Sequence, residues 1–149
     1  MTTSKFDLPV YFKGTVVHGH GRGGKRLNCP TANLSPETIK QLPHNFPNGV
    51  YCGLAKVNDD DLLPMVMSYG DNPYFKDVEK TLEVHILHQY PSDFYSAKLA
   101  CVVLYHIRPM SSFSTVEELI MAIEGDKTFA CKILSNVNLD KYRSHSIFK

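Results

Sequence analysis

The alternation of apolar and polar positions divides the chain into a long strand-forming stretch followed by a shorter helical one. Val10 to Val17 is rich in β-branched and aromatic residues and predicts a strand. Gly49 to Val57 and Met65 to Tyr69 read as the next strands, separated by an acidic turn at Asp59-Asp60-Asp61. That turn lacks the ligand spacing and closing glutamate of a calcium loop, so it reads as a solvated hairpin tip. From Thr81 to His88, Leu82, Val84 and Ile86 alternate with Glu83, His85 and Leu87, and Lys98 to Ile107 makes a long final strand. Strands of this kind without intervening helices imply an antiparallel sheet, and their number implies closure. The expected fold is mainly β, a closed antiparallel Greek-key-like β-barrel of about six strands with C-terminal helices packed on one side.

The helical signals are local. Ser35 caps a helix with Pro36 at its first position, and Pro43 and Pro47 keep it short; Asn48-Gly49 then makes a turn. Beyond Ser114 the period changes. Ser114 and Glu117 form a capping box, and Val116, Leu119, Ile120 and Ile123 recur on one helical face. Gly125-Asp126 interrupts this pattern, and Phe129, Ile133 and Leu134 predict a second helix.

Composition narrows the partners. At 149 residues the chain has the size of one domain, 1–149, with an ordinary 43% of hydrophobic residues. A net charge of +1 and a pI near 7.7 give no global field to recruit nucleic acid or an anionic membrane. Cys29, Cys52, Cys101 and Cys131 are widely spread, without the paired spacing of a zinc site, and read as reduced thiols. Residues 1–8 have no apolar signal core, and no run reaches the length of a membrane span, so a cytoplasmic location is expected.

The candidate chemistry lies in His18 to Asn33. Gly19, Gly21, Gly23 and Gly24 fall within six positions, where backbone N–H groups can turn toward one anion, and Arg22, Lys25 and Arg26 add positive charge. The result reads as a phosphate cradle. Gly19 to Gly24 fits G-x-G-x-x-G, but Pro30 lies where a dinucleotide-binding helix would follow. Gly19 to Lys25 fits G-x-x-x-x-G-K, yet Arg26 stands where the Walker loop needs a hydroxyl. His18 and His20 stand in the order His-Gly-His-Gly, which fails the H-x-G-H signature of nucleotidylyltransferases. Metal-binding oxygens must come from further along, and Thr31 and Asn33 are the nearest.

The run Gly-Arg-Gly-Gly-Lys-Arg followed by Pro30-Thr31-Ala32-Asn33 resembles the signature of the riboflavin kinase (flavokinase) family, in its monofunctional eukaryotic type. Asn72-Pro73-Tyr74-Phe75, Glu83-Val-His85-Ile-Leu-His88, Asp93-Phe94-Tyr95, Ile107-Arg108-Pro109 and Glu124-Gly125-Asp126 extend the similarity over nearly the whole chain. Asn28-Cys29 before Pro30 departs from the glycine and apolar residue of many relatives. The resemblance implies transfer of the γ-phosphoryl group of MgATP to the ribityl 5'-hydroxyl of riboflavin, giving FMN and ADP. It implies that Gly19, Gly21, Arg22, Gly23, Gly24, Lys25, Pro30 and Thr31 enclose ATP, with His88, Phe94 and Tyr95 near its base. Thr31 and Asn33 would hold Mg²⁺, with Mn²⁺ or Zn²⁺ as alternatives. Glu83, which by pattern alone could be an exposed strand residue, takes the position of the catalytic base. Arg108, Met110, Phe113, Leu119 and Ile123 would line the flavin site, although Leu119 and Ile123 also suit a helix's core face. The expected partners are small molecules alone, bound by a monomer. A small nucleic-acid-binding barrel is the rival, and it lacks a basic, aromatic-interleaved strand face. A bifunctional flavin-nucleotide synthase would need an adenylyltransferase domain for which 149 residues leave no room.

Overall fold

Phe12 and Val16, two of the apolar positions of the first expected strand, point into the interior of a closed barrel in the computed structural model. The structure describes residues 8–17, 31–43, 45–58, 61–70, 80–87, 97–111 and 113–149. Six strands close the barrel: β1 (Val10–Val17), β2 (Thr31–Leu34), β3 (Gly49–Val57), β4 (Leu63–Gly70), β5 (Thr81–Ile86) and β6 (Lys98–Arg108). Their order around it is β1-β2-β5-β4-β3-β6, every neighbouring pair is antiparallel, and β6 returns to β1. The expected antiparallel Greek-key-like barrel is thus observed. The strand that sequence patterning left unassigned is β2, the Thr31-Ala32-Asn33-Leu34 segment itself.

Alternation decides what fills the barrel. Leu82, Val84 and Ile86 of β5, Ala32 and Leu34 of β2, and Met65 and Met67 of β4 all belong to the interior cluster. Burying each large side chain is worth roughly 1.5–3 kcal/mol, so this interior dominates the stability and leaves the outer face free to carry polar groups. Cys52 and Cys101 are buried free thiols, and burial pushes Cys52 up to about 12, keeping it protonated and inert.

The C-terminal helices cover the outer surface of the barrel, whereas the short first helix packs against the interior cluster. α1 (Pro36–Ile39) starts at the expected cap, Ser35, whose side chain accepts from the Thr38 N–H. α2 (Val116–Leu134) is one helix of 19 residues, where the sequence predicted an interruption at Gly125-Asp126 and a second helix beyond it. Asp126, Ala130 and Leu134 form its buried stripe, with Ala130 and Leu134 packed on Val50, Cys52 and Val66 of the barrel. A glycine in a helix costs about 1 kcal/mol, which this packing outweighs. The cap also lies one residue later than the expected box at Ser114 and Glu117. Thr115 accepts from the Glu118 N–H, and Glu118 reaches back to accept from both the N–H and the hydroxyl of Ser114. Val116 and Phe129, expected on packed faces, are exposed. α3 (Leu139–Arg143) and a final turn at Ser146–Phe148 then cross the outer surface, where Arg143 pairs with Asp61 and Phe148 is buried.

Two bulges in β6 aim its last residues. Against β3, Val50 pairs with Arg108 and Tyr51 with His106, so Ile107 is extra; Cys52 pairs with Tyr105 and Gly53 with Val103, so Leu104 is extra. A Cβ on Gly53 would collide with the Val102 carbonyl at the second bulge, which explains glycine there. The first bulge turns both Ile107 and Arg108 toward α2.

Candidate active site

Residues 18–30, which carry the glycine-rich stretch, join β1 to β2 and lie outside the described residues, as do 88–96. Gly19, Gly21, Arg22, Gly23, Gly24, Lys25, Pro30, His88, Phe94 and Tyr95 are therefore sequence expectations alone. The strands that flank them are described, and they bring the remaining residues together.

β2 lies against β5 with Thr31 opposite His85, Ala32 opposite Val84 and Asn33 opposite Glu83. Ala32 and Val84 are fully buried in the barrel, so Asn33 and Glu83, one residue on, lie on its outer face, half-buried. Residues directly opposite across an antiparallel pair have Cβ atoms about 4.5–5.5 Å apart. The amide oxygen and the carboxylate can therefore serve one small volume. The same register continues: Glu83 is opposite Ser68 of β4, Ser68 is opposite Val50 of β3, and Val50 is opposite Arg108 of β6. Asn33, Glu83, Ser68, Val50 and Arg108 thus form one transverse row, and at roughly 4.8 Å per strand Arg108 lies about 14 Å around the surface from Glu83.

Arg108 is engaged at its end of the row. Its Nε and Nη2 donate to the two carboxylate oxygens of Asp126, each at 2.9 Å, in a fork that ties β6 to α2. Asp126 is buried, while the Arg108 side chain keeps 24% of its exposure and stands over the Phe113 ring with its guanidinium carbon 5.7 Å from the centroid. Met110 is exposed and touches the end of β4, so near that a Cβ on Gly70 would meet its Cγ at 3.2 Å. Leu119 and Ile123 are half-buried on the first part of α2. Arg108, Met110 and Phe113 are therefore neighbours at the junction of barrel and helix.

His85 supports the row from beneath α2. It follows Glu83 by two positions on the same face and is buried, unlike Glu83. Burial, with a smaller contribution from the Lys127 charge, pushes its pKa from 6.5 down to about 4. The unfolded chain therefore takes up this proton before the folded one as pH falls, and stability is lost between about pH 6.5 and 4, by up to about 3 kcal/mol. Thermal melts across that window should show the loss, and His85→Gln should flatten it; a parallel slope in the variant would remove His85 from the acid transition.

Comparison with known proteins decides the family. A sequence model of the family described as riboflavin kinase matches residues 6–134. The chain belongs to the riboflavin kinase family. It is 39% identical to riboflavin kinase of Mus musculus over 143 residues, 96% of this chain and 92% of that protein. It is equally identical to riboflavin kinase of Homo sapiens over 142 residues, covering 95% and 92%. Its fold is similar to the crystal structure of riboflavin kinase from Trypanosoma brucei, with a TM-score of 0.72 and 29% identity over 97% of this chain and 91% of that one.

Two residues that the structure brings to this row or to its end were not singled out in the sequence as site candidates. Ser68 sits in an apolar run where its hydroxyl drew no attention, and only the β4–β5 register places it beside Glu83. Asp126 read as a helix break, whereas it is the buried partner of Arg108. An acid in the middle of a helix's apolar stripe was the available signal for the second; the first had none.

Proposed function

We infer that this chain transfers the γ-phosphoryl group of ATP to the 5'-hydroxyl of riboflavin, forming FMN and ADP, with Glu83 as general base. The single observation that carries the assignment of residues is the direct pairing of Asn33 with Glu83 at the exit of the glycine-rich stretch. In this reading the glycine stretch and Lys25 hold the phosphates, and Thr31 and Asn33 hold a divalent cation. Thr31 and Asn33 offer a hydroxyl and an amide oxygen, donors suited to a hard cation such as Mg²⁺ rather than to one preferring nitrogen or sulfur. A bound Mg²⁺ would neutralise charge on the transferring phosphate. Glu83 orients the ribityl hydroxyl and takes its proton as the new O–P bond forms and the bond to ADP breaks. The bland alternative, a solvated strand glutamate, gives no reason for an amide on one flank and the motif strand alongside.

In the same reading the flavin lies near Arg108, Met110 and Phe113, with Leu119 and Ile123 beside it, while ATP occupies the side of the glycine stretch and residues 88–95. Support comes from the placement of Arg108, Met110 and Phe113 at the junction of barrel and helix, where a guanidinium, a thioether and an aromatic ring are partly accessible. The enzyme is read as a cytoplasmic monomer; no described helix is long and apolar enough to cross a membrane. Incubation with riboflavin, ATP and Mg²⁺ and chromatography for FMN tests the activity, and absence of FMN would overturn it. Arg108→Ala should raise the riboflavin KM more than the ATP KM. It should also cost about 3 kcal/mol of stability by stranding the Asp126 carboxylate. Equal changes in both KM values would count against separate pockets.

A further inference from the structure

We propose that the outer face of α2 docks against the same face of a second copy of this chain, the two helices packing antiparallel about a two-fold axis at Gly125. Glu118, Met121, Gly125, Phe129 and Lys132 follow one another at helical spacing, which sets them in one line along α2. All five are exposed, on the side away from the buried stripe of Asp126, Ala130 and Leu134. Met121 keeps 74% of its exposure and Phe129 43%, and neither joins an apolar cluster of the described residues.

Two features of that line favour a second copy as its occupant. The first is Gly125. A Cβ at this position would meet nothing within 4 Å, so the chain's own packing gives no reason for a residue so poorly suited to a helix interior. Glycine on an exposed helix face does let a second helix approach at the short end of the usual interaxial distance of about 8–10 Å. The second feature is the order of the groups around it. An antiparallel two-fold pair centred on Gly125 sets each position before it opposite the position equally far beyond it in the other copy. Met121 of each copy then meets Phe129 of the other, and Glu118 of each meets Lys132 of the other. Every contact occurs twice and each is complementary, apolar on apolar and carboxylate on ammonium. A parallel pair would instead oppose Glu118 to Glu118 and Lys132 to Lys132. One oxygen of Glu118 accepts from Ser114, and the Lys132 ammonium has no ion pair among the described residues. One helix pair falls short of the roughly 1,200 Å² that stable interfaces bury, so the dimer is weak, with a Kd of about 10–100 µM, and dilute enzyme stays monomeric.

Sedimentation equilibrium of the intact chain from about 1 to 500 µM tests this. The wild type should pass from monomer to dimer with a Kd of about 10–100 µM. Gly125→Gln should stay monomeric throughout while melting about 2 °C higher when dilute, since it removes a glycine from the helix and puts a side chain into the contact. Those opposite signs separate a lost contact from a damaged fold. Lys132→Glu and Glu118→Lys should each weaken association about tenfold, because two attractions become two repulsions. Their equimolar mixture should dimerise like the wild type, since the mixed pair regains both attractions. If Glu118→Lys melts below the wild type for want of its bonds to Ser114, Lys132→Glu and Gly125→Gln decide the matter without it. A wild type monomeric at every concentration, a Gly125→Gln that dimerises normally or melts lower, or an unchanged Kd in Lys132→Glu would each overturn the proposal. So would a mixture no tighter than its components when both melt like the wild type.

Discussion

Glu83→Gln should lower kcat by roughly 10²- to 10⁴-fold with little change in either KM, the range expected when a general base is lost. Glutamine keeps the shape and the reach of glutamate, so the barrel and the place of the ribityl hydroxyl are retained. What disappears is the capacity to accept the proton. The outer-face setting of Glu83 makes the experiment clean: Leu82 and Val84 on either side carry the packing, and the half-buried side chain between them does not. Glu79→Gln, four positions earlier in a polar stretch of the sequence, is the control and should be nearly silent. Steady-state assays with saturating ATP and riboflavin are sufficient. Turnover of Glu83→Gln at the wild-type rate would make this residue an ordinary strand glutamate and assign the orientation of the hydroxyl to another group.

Asn33→Ala should lower turnover by roughly 10²-fold or more at ordinary Mg²⁺, comparable with loss of one preorganised group that stabilises developing charge. Part of the loss should return as Mg²⁺ is raised, because a weakened site is filled by mass action. Stability should change little, since the interior positions of β2 are Ala32 and Leu34 rather than Asn33. Thr31→Ala should behave similarly, and Thr31→Ser more mildly because the hydroxyl survives. A magnesium titration with thermal melts separates these effects. Full activity of Asn33→Ala or Thr31→Ala at every Mg²⁺ concentration would show that the corresponding oxygen does not hold the cation.

Legibility in the sequence followed the range of the physical signal. The motif of the site was readable because its residues are contiguous: glycine stretch, Pro30, Thr31 and Asn33 stand within one short segment. The Glu83 strand was readable from its alternation, which also placed Glu83 on the opposite face from Leu82 and Val84. The secondary structure of the motif was not. Four residues containing a proline-preceded threonine, an alanine and an asparagine carry little strand propensity, and β2 exists because β1 and β5 supply hydrogen bonds on both sides. Continuity of α2 through Gly125 was hidden for a related reason: local propensity opposes it, while the Arg108–Asp126 fork and the burial of Ala130 and Leu134 lie in long-range contacts.

By itself, then, the sequence determined which strand residues face inward, which motif is the candidate for phosphate, and that the strands close into a barrel with helices after them. These follow from periodicity and from backbone freedom at glycine, properties of a few adjacent residues. Tertiary structure alone decided the order β1-β2-β5-β4-β3-β6 and the register along it, and through them that Asn33, Glu83, Ser68, Val50 and Arg108 stand in one row. The reason is that a side-chain alternation of period two fixes the face of each strand but not its neighbour. Slipping a strand by two residues preserves every apolar contact class while moving each polar group to a new partner. The β6 bulges, the closing of the barrel and the docking of α2 remove that freedom, and only with it removed does Glu83 acquire Asn33 and Ser68 as its cross-strand neighbours.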